Sequence, residues 1–283
     1  MSVETPSQKI FETSEGPIHY HDLGGDGEPL LLIHGGGVGA SGWSNFRGNV
    51  ADLRDKFRLI IPDQLGFGSS PVPKDETGEY HAVSARTLIE LLRGLGISKA
   101  HLVGNSLGGG VSLRMAMAAP DLVGRIILMG PYFKGFGMQL LAPVAHGNFL
   151  SRAYYDDPTP ERMEQLIRTF VHDADALPNL KELVDERYKR TLEPGIEKGY
   201  RRQSVPGDPD PDTRSPEEKV RSIKHETLLL WGRDDNFCSL TEAFFFLTAL
   251  ENSELVVFRN TGHWVQVERQ QEFASHVTAF LSR

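Results

Sequence analysis

The chain has 283 residues, with 30 Lys plus Arg against 38 Asp plus Glu and a formal net charge of −8 at pH 7; an acidic surface disfavours nucleic acid and anionic membranes as partners. Hydrophobic content of 39% and charged content of 24% are ordinary for a folded enzyme and exclude a disordered or fibrous chain. The single cysteine, Cys238, excludes an intramolecular disulfide, the start Met1-Ser2-Val3-Glu4-Thr5-Pro6 shows no signal peptide, and no stretch approaches the roughly 18 apolar residues of a membrane helix, so a cytoplasmic protein is expected.

Period and punctuation predict an antiparallel hairpin from residues 9–13 and 17–23. His19 and His21 form H-x-H there, but no third ligand follows at zinc spacing, so both are expected at the surface and no metal site is expected. A buried third strand, Leu30-Leu31-Leu32-Ile33, opens into His34-Gly35-Gly36-Gly37-Val38-Gly39. This is an H-G-G-G loop, in which a flexible backbone turns an N–H toward a developing oxyanion; Gly36 or Gly37 is the expected donor. Gly35, Gly37 and Ala40 also satisfy the dinucleotide pattern G-x-G-x-x-A. His34 opens the turn, however, and no second nucleotide-binding half is visible, so no cofactor is expected.

A strand at 58–62 and a helix over 82–95 precede Ala100-His101-Leu102-Val103, which runs straight into Gly104-Asn105-Ser106-Leu107-Gly108 and a helix over 107–119. G-x-S-x-G between strand and helix is the setting of a nucleophile elbow. The turn is tight enough that a Cβ at Gly104 or Gly108 would strike crossing backbone. After a sixth strand at 125–129 the alternation stops until about residue 223. Helical spacing of Met163, Leu166, Ile167 and Phe170, helical patterns over 160–173 and 180–191, and the run from Pro206 to Asp212 predict a helical lid at 131–223, inserted into a core of 1–130 and 224–283. Phe133, Phe136, Met138, Leu140 and Leu141 either line an apolar pocket or form the lid's own core. Strands at 227–231 and 254–258 and a helix over 270–281 complete an α/β chain with a mostly parallel central sheet flanked by helices.

A serine nucleophile needs a base, and the base an orienting acid, here in the chain order Ser, Asp or Glu, His. Asp235 follows the strand ending at Trp231, and His263 follows the last strand and precedes the final helix. Ser106, Asp235 and His263 are therefore the predicted triad. Asp234 competes for the acid role, or else caps the helix that begins near Leu240 or faces solvent. The N–H of Leu107 is the second expected oxyanion donor.

Beyond the triad, the chain resembles the meta-cleavage product hydrolases, carbon–carbon bond hydrolases of the α/β-hydrolase fold that act in bacterial aromatic-ring degradation. The resemblance rests on the segment His34 to Asn45, which contains W-S-N, on Gly104-Asn105-Ser106-Leu107-Gly108-Gly109, on Gly262-His263-Trp264 through Glu268, and on Glu186-Arg187-Tyr188. It implies that Asn45, Asn105, Arg187 and Trp264 bind substrate, with Arg187 on the carboxylate of a 2-hydroxy-6-oxo-dienoate; the alternative for Arg187 is an exposed helix residue in a charge run. It implies ketonisation of the dienol with His263 taking part, attack of Ser106 on the 6-oxo carbonyl, release of 2-hydroxypentadienoate, hydrolysis of the acyl-enzyme, no cofactor, and a homodimer or larger assembly. Val38 stands where the family usually has Pro, and Asn236-Phe237-Cys238-Ser239 where it commonly reads Arg-Phe-Val-Pro. A carboxylesterase, a cofactor-free hydrolase of another activated C–C or C–N bond, and a non-catalytic receptor are the competing readings.

Overall fold

The computed structural model describes residues 6–135, 146–204 and 212–283. Strands β1 (Lys9–Thr13) and β2 (Gly16–Asp22) form the predicted antiparallel hairpin. It joins β3 (Glu28–Ile33), β4 (Phe57–Pro62), β5 (Ala100–Asn105), β6 (Val123–Met129), β7 (Thr227–Gly232) and β8 (Ser253–Phe258) in one eight-stranded sheet of order β1-β2-β4-β3-β5-β6-β7-β8. From β4 to β8 the neighbours are parallel. Between strands run α1 (Gly42–Phe46), α2 (Val50–Leu53), α3 (Tyr80–Gly94) and α4 (Leu107–Ala118), and after β6 come α5 (His146–Ala153), α6 (Pro160–Phe170), α7 (Leu180–Thr191), α8 (Ile196–Arg202) and α9 (Pro216–Arg221). The chain closes with α10 (Leu240–Ala249) before β8 and α11 (Val265–Glu268) and α12 (Gln270–Leu281) after it.

The unbroken apolar runs have a direct cause. Along β3, Leu31 and Ile33 enter the core beneath α3 and α4, while Leu30 and Leu32 enter the opposite core with α1 and α12. A parallel sheet covered on both faces hides every residue, so the two-residue alternation vanishes from the sequence. A third apolar cluster joins Met163, Leu166, Ile167 and Phe170 of α6 and Leu183 and Val184 of α7 to Val38, Leu107 and Trp264. β3 pairs with β4 on one side and β5 on the other, so the crossovers leave in opposite directions. Such a reversal opens a crevice at the carboxyl ends of the two strands, where the H-G-G-G loop and the elbow begin.

Several expectations change. His21 is buried rather than at the surface, packed on Trp43 with ring centroids 4.9 Å apart; burial lowers its pKa. The helix expected over 160–173 stops at Phe170, because the carbonyl of Phe170 accepts the His263 N–H at 2.7 Å and Val171 turns extended. No long helix starts on the H-G-G-G loop; the chain continues into the five-residue α1, capped by Ser41, so the loop lacks the helix N-terminus that a pyrophosphate uses. Phe133 belongs to the core under α4, whereas Phe136, Met138, Leu140, Leu141 and residues 206–211 lie outside the described residues.

Candidate active site

Ser106 sits at the carboxyl end of β5 with φ 52° and ψ −115°, one of two non-glycine residues at positive φ among those described. That strain lifts the side chain out of the strand direction, and it is held by fixed partners: the Ser106 N–H donates to Met129 O at 2.8 Å, and its carbonyl accepts from Gly109 N and Tyr132 N, each at 2.9 Å. A Cβ on Gly104 would lie 2.5 Å from Gly108 O, and one on Gly108 would overlap Ile33 O. Both glycines are therefore steric necessities of the turn, as the sequence predicts. Leu107 opens α4, so its N–H is at the amino end of a helix, directly beside the serine.

His263 follows β8 and is buried. Its Nδ1 donates to Asp235 Oδ2 at 2.7 Å; a carboxylate only accepts, so Nδ1 carries the proton and Nε2 is the basic nitrogen. Nε2 has no hydrogen-bond partner among the described residues, and His263 lines the pocket that Ser106 also lines. The other oxygen of Asp235 accepts the N–H groups of Phe237 and Cys238 at 2.7 and 2.9 Å, which fixes the carboxylate's plane. Asp234 behaves differently. It is half-exposed, bonds Arg233 at 3.2 Å, and approaches His172 Nδ1 at 3.2 Å. It does not cap α10, whose N-cap is Ser239. In the first turn of α10, buried Glu242 has its pKa pushed up to about 7, first by burial and then by Asp235.

The H-G-G-G loop is pinned from two sides. His34 is neutral, its pKa lowered by burial; Nδ1 donates to Gly35 O at 2.8 Å while Nε2 accepts from Gln64 N at 3.0 Å. From α8's end, Gln203 donates to Gly36 O at 2.8 Å. Nothing in the sequence marked Gln203, since it lies 167 residues away from its partner.

Arg187 is 2% exposed, so the exposed-helix alternative does not hold. Its guanidinium lies 4.6 Å from the Trp264 ring centroid, and the ring in turn stacks on Phe170 (4.4 Å, 5°), which stacks on Phe237 (4.2 Å, 2°). Among the described residues its one hydrogen bond is a long contact of 3.4 Å from Nη1 to Val38 O, and Nε has no partner there. Its sequence neighbour Glu186 instead bonds Arg47 at 2.6 Å. Burial pulls the Arg187 pKa down to about 10. Asn105 is fully buried, with Nδ2 near Met129 O and His263 O at 3.3 and 3.4 Å and Oδ1 without a partner among the described residues. Asn45, buried in α1, donates to Ser41 O at 3.2 Å. One pocket brings together Gly36, Gly37, Asn45, Asn105, Ser106, Arg187, His263 and Trp264. Asp235 stands behind His263, and Leu107 beside Ser106, outside that lining.

Residues 28–270 match the alpha/beta hydrolase fold family. The chain is 35% identical over 281 residues to a 2-hydroxy-6-oxononadienedioate/2-hydroxy-6-oxononatrienedioate hydrolase of Burkholderia vietnamiensis, covering 97% of this chain and 94% of that one. It is 34% identical to a 2-hydroxy-6-oxo-6-phenylhexa-2,4-dienoate hydrolase of Comamonas testosteroni, over 95% of this chain and 93% of the other. A crystal structure of a meta-cleavage product hydrolase from Pseudomonas fluorescens superposes with a TM-score of 0.83 at 30% identity, covering 97% of both chains. The chain belongs to the meta-cleavage product hydrolase family of the α/β-hydrolase fold. Its two departures from the usual pattern of these hydrolases leave the site's framework in place. At position 38 the contact to Arg187 is made by a backbone carbonyl, which Val and Pro both supply. After Asp235, the two N–H donors to its carboxylate come from Phe237 and Cys238, and the Ser at 239 serves as the N-cap of α10. Phe170, Phe237 and Gln203 are the lining or supporting residues that the sequence did not reveal.

Proposed function

We propose that this meta-cleavage product hydrolase cleaves the C–C bond of a 2-hydroxy-6-oxo-dienoate, giving 2-hydroxypentadienoate and a carboxylic acid. Arg187 carries the reading. A buried guanidinium with no carboxylate partner among the described residues, in a pocket shared with Ser106 and His263, is an expensive arrangement. A substrate carboxylate, taken by two parallel N–H···O bonds, relieves that cost. A neutral ester leaves it standing, which favours the dienoate over a simple carboxylesterase.

In the proposed chemistry Arg187 holds the carboxylate with Trp264 and Asn45 alongside, and the unpaired Asn105 Oδ1 accepts the 2-hydroxyl. A proton moves from that hydroxyl to C5 with His263 taking part, leaving a 2-oxo group conjugated with the C3=C4 double bond, which carries C5. Ser106 Oγ then attacks the 6-oxo carbon, its proton passing to His263 Nε2, while Asp235 stabilises the imidazolium. The N–H of Leu107 and one from Gly36 or Gly37 face the oxyanion; His34 holding Gly35 O favours Gly36, because the trans peptide turns the Gly36 N–H away from His34. On collapse the C5–C6 bond breaks, its electron pair delocalises onto the 2-oxo oxygen, and His263 returns the proton there. Water, deprotonated by His263, releases the acid from Ser106. Every group this sequence needs is a side chain or backbone N–H.

The segment 131–223 acts as the lid, supported by the packing of α6 and α7 on Val38, Leu107 and Trp264. The cytoplasm fits a chain whose lone thiol is buried. A homodimer is supported by the open edge of β8 and exposed Phe244 and Val257 beside it. The test of the activity is loss of the coloured dienolate of 2-hydroxy-6-oxo-6-phenylhexa-2,4-dienoate against release of p-nitrophenol from p-nitrophenyl acetate. A kcat/KM ratio favouring the dienoate by about 100-fold or more is expected; turnover of the ester alone overturns the reading.

A further inference from the structure

The segment Gly262 to Glu268 ends on a carboxylate that the proposed chemistry does not use. Glu268 closes α11, half-buried, and each of its oxygens accepts one backbone N–H. Oε1 accepts from Gly262 at 2.7 Å, and Oε2 accepts from His172 at 2.7 Å. Gly262 immediately precedes His263. His172 lies two residues beyond Phe170, whose carbonyl accepts the N–H of His263 at 2.7 Å and approaches that of Trp264 at 3.3 Å.

Gly262 N–H to Glu268, Glu268 to His172 N–H, and Phe170 O to His263 N–H thus close a ring. It joins the histidine loop of the core to the chain leaving α6. The two strands of this ring touch: a Cβ on Gly262 would lie 2.7 Å from Phe170 O and 2.9 Å from Val171 C. Hydrogen bonds to an ionised acceptor are about twice as strong as neutral ones, and both donors here are backbone N–H groups on either side of the ring. The Phe170 ring, carried on the same segment, lies between Phe237 and Trp264 and 6.0 Å from the His263 ring.

We propose that Glu268 is a positioning residue: it aims His263 by tying the histidine loop to the chain after α6. The inserted helices and the base then share one anchor, and the imidazole reaches Ser106 at the right angle when that segment is docked. The inference rests on His263 serving as the base, which the dienoate and ester reactions share. It does not depend on which of them is the natural one.

Glu268→Gln keeps shape and one acceptor but turns an NH2 toward the second N–H donor, so it opens the ring without opening a cavity. A base displaced by a fraction of an ångström to an ångström loses up to about 100-fold in rate. The experiment measures kcat and KM of Glu268→Gln and Glu268→Ala on the dienoate and on p-nitrophenyl acetate, with thermal melts and the rate of labelling of Ser106 by a fluorophosphonate. The expected result is a fall in kcat of about 10- to 100-fold on both substrates and slower labelling, with KM within about twofold and the Gln variant's Tm close to wild type. Wild-type kcat in either variant overturns the proposal. So does a loss confined to KM, or a Gln variant that does not fold, since each assigns the carboxylate to binding or global stability. An ester-active wild type that leaves the dienoate untouched overturns the C–C reading instead, and the Glu268 test is then read on the ester.

Discussion

Replacing Arg187 by Met separates two properties that most active-site mutations confound. The site holds a guanidinium whose pKa burial drives well below its usual value, to about 10. A cation whose folded pKa lies below its unfolded one costs stability in full at pH values below the folded pKa, and the cost fades only as pH rises from about 10 to the higher, unfolded value. The difference corresponds to about 3 kcal/mol against folding at pH 7, of which the stack on Trp264 at 4.6 Å offsets about 1–2. Met fills a similar volume without a charge and packs well on an indole. Arg187→Met is therefore expected to raise the Tm by about 2–6 °C while lowering kcat/KM on the dienoate by about 30- to several-thousand-fold, the range for removing one partner of a buried charge pair. Hydrolysis of p-nitrophenyl acetate should change less than about threefold. A dienoate or its carboxylate product should raise the wild-type Tm and leave the variant's unmoved. Differential scanning fluorimetry and steady-state kinetics read all of this. A variant that melts lower than wild type, or that loses both substrates equally, refutes the reasoning that Arg187 waits for an anion.

Ser106→Ala should lower turnover by about 10⁴-fold or more with the fold intact, measured by dienolate absorbance and circular dichroism. Asp235→Asn should approach the same loss by removing the acceptor 2.7 Å from His263 Nδ1, whereas Asp234→Asn, at a half-exposed carboxylate, should stay within about threefold; the reverse ranking would put the acid one residue earlier. Glu242, with a folded pKa raised to about 7 against 4.5, binds more protons folded than unfolded between those values, so its contribution falls as pH rises through that window. Glu242→Gln should raise Tm at pH 8 and leave it unchanged at pH 4; equal gains at both pH values would show that its charge is not the cause.

What the sequence displays is local, and so were its successes. The elbow is legible because its glycines are demanded by backbone within a few residues, Gly104 against Gly108 and Gly108 against Ile33. Helices α7 and α12 appear at their predicted bounds because one face of each is buried and the period survives. Asp235 and His263 could be placed because strand ends set them on one sheet edge. His21 misled because an edge hairpin ordinarily exposes polar side chains, whereas Trp43 from α1 closes over this one. The true end of α6 was out of reach: propensity allows the helix to run on, and the residue that captures the Phe170 carbonyl is His263, far along the chain. Gln203 and Phe237 escaped for the same reason, since their partners Gly36 and Phe170 are brought near by the fold and leave no spacing to read.

These long-range contacts share a direction. Three residues of the candidate site are met by residues from the segment between β6 and β7: Gly36 by Gln203, His263 by Phe170, and Trp264 by Arg187. A run of three glycines is costly to order and free to flip, so it makes a preorganised oxyanion site only when its carbonyls are held, here Gly35 by His34 from the core and Gly36 by Gln203 from the insertion. His263, the proposed base, likewise donates its N–H to a carbonyl of α6, Phe170 O. On this proposal the segment between β6 and β7 does more than cover the site. Electrostatic stabilisation depends on donors already fixed where charge will develop, and on the proposed mechanism part of that fixing comes from the same segment that carries Arg187, the proposed carboxylate ligand. Substrate anchoring and the arming of the nucleophile site are thus joined through one packed segment, and loosening that segment should cost rate even where no catalytic side chain is changed.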